Sequence, residues 1–135
     1  RFYCLNKNIL VVPIPLFAYR ERKRGYNQSE ILAQDFAKRF SIKFTGLLER
    51  TRDTKTQVKL DRSKRRENIK GAFALNSEFI IPSNSAGRHN SELKKADIFL
   101  VDDVLTTGST FSEAGSILKK NGAAKVWAVA FARED

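Results

Sequence analysis

Methionine is absent from all 135 residues, and cysteine, histidine and tryptophan occur once each. A lone Cys4 forms no internal disulfide and no cysteine-rich zinc site. Such sparing use of thiols fits a reducing, cytoplasmic setting. The single histidine, His89, sits in a Ser/Asn/Gly-rich stretch and is given no catalytic role. The longest apolar runs fall far short of the ~20 residues that a helix needs to span a bilayer, so membrane insertion is not expected. No internal repeat is visible. The missing methionine and the abrupt opening Arg1-Phe2-Tyr3-Cys4 point to a fragment of a longer protein.

What is present describes one globular domain, residues 1–135, with 41% apolar and 30% charged residues and room to bury a core without metal or disulfide support. The formal net charge is +10, which favours anionic partners without naming one. Its distribution is uneven. Residues 50–70 hold nine basic and three acidic side chains, and so account for +6 of that excess.

Ile9-Leu10-Val11-Val12 is an unbroken apolar run stopped by Pro13 and Pro15, as in a strand buried on both faces of a parallel sheet. Arg20 to Arg24 is polar and charged, and Gly25 breaks it. A helix is predicted from about Asn27 to Phe40, with Leu32, Phe36 and Phe40 at i+4 spacing, Ala33 and Ala37 beside them, and Asn27 with Glu30 as a capping box. Phe44 to Leu48 reads as a second strand interrupted by Gly46. Glu49 to Lys70 has no periodicity and reads as a long mobile loop or hairpin. Gly71 to Leu75 is extended, and Pro82 to Glu92 is a surface loop. The last third is plainest. Ile98 to Val101 is a buried strand with Asp102-Asp103 at its carboxyl end. A helix with an apolar stripe at Phe111, Ala114 and Leu118 follows and stops at Asn121-Gly122, and Val126 to Phe131 is the next strand, with Trp127 read as core. Together these make a βαβ unit and a parallel sheet.

Ligands of open parallel sheets bind beyond the carboxyl ends of the strands. Here that position holds two adjacent carboxylates, then Thr106-Thr107-Gly108-Ser109-Thr110 at a helix N-terminus. Hydroxyls, free N–H groups and the helix dipole suit a phosphate. Carboxylates repel phosphate but accept hydrogen bonds from ribose hydroxyls. A phosphate beside a diol describes a ribose 5-phosphate. The competing reading of either half alone is a helix cap or a strand end.

The thirteen residues Ile98 to Thr110 resemble the signature of type I phosphoribosyltransferases that binds 5-phosphoribosyl 1-pyrophosphate (PRPP). The wider pattern resembles the competence protein F (ComF) family, which includes the GntX proteins. It comprises Val12-Pro13-Ile14-Pro15-Leu16, Arg24-Gly25-Tyr26-Asn27-Gln28, then Arg50, Thr54 and Gln57, then Arg66, Asn68, Gly71, Ala72 and Phe73, and runs from about Ile9 to Arg133. The resemblance implies a Rossmann-like α/β core with helices on both faces of a parallel sheet and a flexible basic loop. It further implies that Asp102 and Asp103 hold the ribose hydroxyls, Thr106, Thr107, Gly108, Ser109 and Thr110 the 5-phosphate, and Pro13-Ile14-Pro15 the pyrophosphate loop, with residues 50–70 covering PRPP. Members of the family commonly carry an N-terminal cysteine zinc module and part of the acceptor hood in a region with no counterpart here.

The chemistry so implied is displacement of pyrophosphate from C1 of PRPP, with Mg²⁺ and cationic side chains neutralising the leaving group. No direct metal ligand is assigned to the protein. Asp102 and Asp103 are the catalytic candidates, joined by Lys59 and Arg66 from a set that also includes Arg50, Arg52 and Lys55. Any one of these cations is equally read as a solvated surface charge. Arg20, Arg22, Lys23 and Arg24 either approach pyrophosphate or a nucleic-acid backbone, or form a solvated loop, and Asn27 is either functional or a helix cap. Two functions follow from the resemblance. One is a PRPP-binding module in DNA uptake, with single-stranded DNA or competence proteins as partners. The other is a transferase that moves phosphoribosyl to a nucleobase-like acceptor. A PRPP sensor without turnover is a third.

Overall fold

The computed structural model describes residues 8–54, 61–79, 81–82, 88–89 and 92–134. Four parallel strands form the central sheet: β1 (Ile9–Pro13), β2 (Lys43–Phe44), β7 (Asp97–Leu105) and β8 (Lys125–Arg133), in the order β2-β1-β7-β8. The apolar runs read from the sequence are its centre. Leu10, Val11, Val12, Ile98, Leu100 and Val101 are almost fully buried, as expected for strands covered on both faces.

Helices α2 (Gln28–Phe40) and α4 (Ser109–Lys120) lie on opposite faces. On one, Ala33 and Ala37 of α2 pack against Val11, Phe99 and Val101. Small residues at that seam let the helix approach the sheet closely. The stripe of larger residues lies to its side, so Phe40 is 51% exposed, although its ring meets Phe36 at 4.8 Å. Trp127 stacks on Phe99 at 5.6 Å and is half-buried, at the margin of this core and not within it. On the other face, Phe111, Ala114 and Leu118 of α4 meet Leu10, Val12, Ile98 and Leu100.

Three segments differ from their sequence reading. Phe44 to Leu48 is not one strand. Thr45 N–H still donates to Val11 O (3.0 Å), but the chain then turns away, and Leu47 O and Gly46 O accept from Asn76. Leu48 re-enters as β3 (Leu48–Arg50), antiparallel to β4 (Phe73–Leu75). Arg20 to Arg24 is not a loop but the end of helix α1 (Ala18–Arg24), closed by Gly25 at φ 87°, with basic groups over its negative end.

Within the basic segment, residues 62–69 form helix α3 (Arg62–Ile69). Asp61 caps it by accepting from Lys64 N at 2.8 Å, and only Ile69 is buried. Its other end is held by Arg52, whose guanidinium donates to Asn68 O (2.7 Å) and Lys70 O (2.6 Å). One apolar anchor yields no periodicity, so the helix had no signal in the sequence. Residues 55–60 lie outside the described part, as do Cys4 and most of 82–92, where Ile81–Pro82 (β5) pairs with Arg88–His89 (β6).

Replacing Leu100, fully buried between α4 and the sheet, by Ala should lower the unfolding free energy by about 2–5 kcal/mol. Urea denaturation measures it, and a loss below about 1 kcal/mol would contradict the assigned core.

Candidate functional site

The site arises where β7 outruns its neighbour. β1 pairs with β7 from Ile9↔Asp97 to Pro13↔Val101 and then leaves, its last link being Ile14 N–H to Val101 O at 2.8 Å. β7 continues through Leu105 with only β8 beside it. Asp102 and Asp103 are therefore not at the end of their strand, as the sequence suggested. They lie inside it, just past the point where β1 departs.

Around that opening is a cavity of about 210 Å³. Asp102, Asp103, Thr106 and Thr110 line it from one side. Ile14 and Pro15 line it from the β1 loop, and Asn27 and Ser29 from the start of α2. Arg50 of β3 and Arg24 at the end of α1 complete it. Beside it a second cavity of about 510 Å³ is lined by Thr107, Gly108 and Ser109, with Arg66, Ile69 and Lys70 from α3 and its end. Pro13 lines neither. It faces a third cavity, of about 460 Å³, shared with Phe44, Leu48 and Glu49.

The candidate residues thus separate into two groups. Asp102, Asp103, Thr106, Thr110, Ile14 and Pro15 come together, while Thr107, Gly108, Ser109 and Arg66 meet next door. Lys59 lies outside the described residues. Gly108, at φ 80°, makes the left-handed turn into α4, a conformation that costs a side-chain-bearing residue about 1 kcal/mol or more. Thr107 Oγ1 and Ser109 Oγ share a hydrogen bond of 2.8 Å over that helix N-terminus.

Asp102 is the most constrained group. Its Oδ1 accepts from Ser29 Oγ (2.7 Å) and from Asp103 N–H (2.9 Å). Burial pushes its carboxyl from the ordinary 3.8 up to about 6; the Ser29 bond works against that rise, and the neighbouring Asp103 carboxyl adds to it.

Arg50 faces this carboxylate. Burial holds its guanidinium below the ordinary arginine value, with Asp102 opposing the change. It lies over the Phe73 ring at 5.0 Å, and its Nε is buried with no hydrogen-bond partner among the described residues. The residue also lines the cavity beside Asp102, where its charge suits an anion.

Two other cations have structural occupations. Arg52 holds the end of α3, and Arg20 ties α1 to Asp53 (2.6 Å) and Thr54 O (2.6 Å). Arg22, Lys23 and Arg24 are exposed on the last turn of α1. Sequence reasoning missed Ser29 altogether, because nothing local says that the α2 N-terminus meets β7. It had named Arg50 as a residue of the family pattern and as one cation among several, without singling it out.

The phosphoribosyl transferase domain model matches residues 26–135, well over half of the sequence. The chain belongs to this family. Competence protein F of Haemophilus influenzae is 34% identical over 123 residues, covering 89% of this chain and 49% of that protein. DNA utilization protein YhgH of Escherichia coli K12 is 38% identical over 117 residues, covering 86% and 45%. Competence protein ComFC of Bacillus subtilis is 30% identical over 119 residues, covering 88% and 42%. Within the family the domain is of the competence protein F type. The chain spans about half the length of the curated relatives it matches. No helix among the described residues is long and apolar enough to cross a membrane.

The raised Asp102 carboxyl has a stability consequence. Below about pH 4 it is protonated in both the folded and the unfolded chain; above about pH 6 it is ionised in both, with burial opposing the folded state. Between those limits the folded chain holds the proton more tightly, so stability falls as pH rises, by up to about 3 kcal/mol from this group. Asp102→Asn removes that contribution while keeping an acceptor for Ser29. The difference in unfolding free energy between wild type and variant, measured in urea at pH 4, 5, 6 and 7, should change by this amount. A difference independent of pH would refute the assignment.

Proposed function

We propose that this domain binds PRPP, with the ribose hydroxyls on Asp102 and Asp103 and the 5-phosphate on Thr106 to Thr110. The observation that carries the reading is the convergence of carboxylates, hydroxyls and one half-buried guanidinium on cavities at the carboxyl side of a parallel sheet. Ionised carboxylates accept from a diol. The N–H groups at the start of α4 and the Thr107 and Ser109 hydroxyls suit a phosphate, and Arg66 and Lys70 bring positive charge to the same cavity, which Glu67 and Glu113 also line. Arg50, across from Asp102 and beside the Ile14-Pro15 loop, suits the pyrophosphate.

Phosphoribosyltransferase domains generally use PRPP with Mg²⁺. Among the described residues no group of three or more His, Cys, Asp or Glu side chains could hold a metal ion. This reading treats Mg²⁺ as part of the substrate complex and assigns it no protein ligand. The names of the relatives, competence and DNA utilization proteins, support a role for this domain in DNA uptake. The exposed basic groups Arg62, Lys64, Arg66 and Lys70 along α3 favour a nucleic-acid contact as a second role, through phosphates and without base reading. Transfer of phosphoribosyl to a nucleobase-like acceptor is the alternative activity. Holding an acceptor in line with C1 can be worth about 7–11 kcal/mol, and no group in these cavities is assigned to that task.

Calorimetry with PRPP and Mg²⁺ should show saturable binding, weakened about tenfold or more when Asp102 and Asp103 are both changed to Asn; undiminished binding by that variant would overturn the proposal. Arg50→Ala should weaken PRPP by about 10- to 100-fold, the value of a charge-assisted bond, and ribose 5-phosphate far less. Arg66→Ala should weaken both ligands. Incubation with adenine, guanine, hypoxanthine, uracil or orotate should release little pyrophosphate. Steady release at about 1 s⁻¹ or more would establish the transferase alternative. Any binding of single-stranded DNA should fall steeply with added salt.

A further inference from the structure

Ser29 has no part in the phosphate-and-diol constellation read from the sequence, yet it is the only side chain of another element that hydrogen-bonds an Asp102 oxygen among the bonds described. It is buried, at 5% exposure, and its position is set from two directions. Its own N–H donates to Asn27 Oδ1 at 3.1 Å, and Asn27 Nδ2 donates to Ile14 O at 3.1 Å. Asn27 is itself 6% exposed. One short chain of hydrogen bonds thus runs from the β1 loop, through the cap of α2, to the carboxylate on β7.

We propose that Ser29 is a positioning residue, held by Asn27 against the Ile14 carbonyl, that fixes the orientation of the Asp102 carboxylate and favours its ionised form. The ionised form is the one that accepts from both hydroxyls of a diol. The part that concerns ligand binding rests on the PRPP reading given above; the part that concerns Asp102 does not.

The physical need for such a residue follows from the surroundings of Asp102. Burial opposes its charge, and so does Asp103 on the same strand. The compensating cation, Arg50 from β3, is itself partly desolvated. Arg24, at the end of α1, lines the same cavity. α2 contributes the uncharged Asn27, Gln28 and Ser29. A hydroxyl donor at 2.7 Å stabilises the carboxylate at close range without adding another charge to a small cavity. Asn27 also resolves an ambiguity. It is a helix cap through Oδ1 and a strut to the β1 loop through Nδ2, and these duties use different atoms.

The test compares wild type with Ser29→Ala, Ser29→Thr and Asn27→Ser. The Asp102 carboxyl is titrated by ¹³C NMR, and ribose 5-phosphate affinity is measured by calorimetry from pH 5 to 8. In Ser29→Ala the titration midpoint should rise by about 1 pH unit, the size expected for one lost bond to a charged group, and the pH at which affinity is half-maximal should rise with it. Ser29→Thr, which keeps the hydroxyl, should restore both. Asn27→Ser keeps a good N-cap residue but cannot reach Ile14, so it should shift the midpoint in the same direction while α2 remains helical by circular dichroism. An unchanged Asp102 midpoint in Ser29→Ala overturns the proposal, as does weakened binding with no change in that midpoint. If the midpoint moves but wild type binds no ribose 5-phosphate, the role of Ser29 toward Asp102 stands, and it is the PRPP reading that fails.

Discussion

The parallel pairing of β1 with β7 is the constraint on which the site depends. For five residues the two strands share a ladder, and both are buried on both faces. At Pro13 the ladder stops. The Ile14 N–H makes the final link to Val101. From there β7 runs on with a neighbour on one side only. Asp102 sits at that parting, where a carboxylate can be partly buried and still reach a cavity. Had β1 continued for two more residues, the same aspartates would flank a paired strand and no opening would separate them from Ile14.

The charged groups of the segment from Arg50 to Lys70 divide by what surrounds them. Arg52 bonds the carbonyls at the end of α3, and Arg50 is drawn under cover onto Phe73 with an N–H to spare. Arg66 and Lys70 border the loop that opens α4. Gly71 joins these parts, since its N–H donates to Glu113 Oε1 of α4 at 3.0 Å. An excess of positive charge that looks uniform in the sequence is thus sorted into helix capping, one buried donor and a cationic border beside a helix N-terminus.

Much of this was legible without coordinates. The unbroken apolar runs at Ile9 to Val12 and Ile98 to Val101 declared strands buried on both faces, because such runs have no polar side to give to water. Phe111, Ala114 and Leu118 declared one face of a helix, and the carboxylates and hydroxyls between strand and helix carried the expectation of a ribose phosphate site, which is the reading proposed above. The resemblance to the competence protein F family rested on other short patterns, among them Val12-Pro13-Ile14-Pro15-Leu16, Arg24-Gly25-Tyr26-Asn27-Gln28 and Arg66 with Asn68. These features are local, and their spacing alone carries them.

Other features were decided only in three dimensions. Helix α3 has one buried side chain, so its stability comes from Asp61 at one end and Arg52 at the other, a contact that spans 16 residues. The separation of Arg50 from Arg52 follows from the antiparallel β3–β4 pair, which puts Arg50 opposite Phe73. Ser29 meets Asp102 across 73 residues of chain. The sequence by itself determined the parallel sheet, its two covering helices and the chemistry of the loop between β7 and α4, because each is written in the period or adjacency of neighbouring residues. Only the tertiary structure decided which arginine faces the carboxylates and which hydroxyl holds them, because hydrogen-bond partners distant in sequence leave no periodic trace in it.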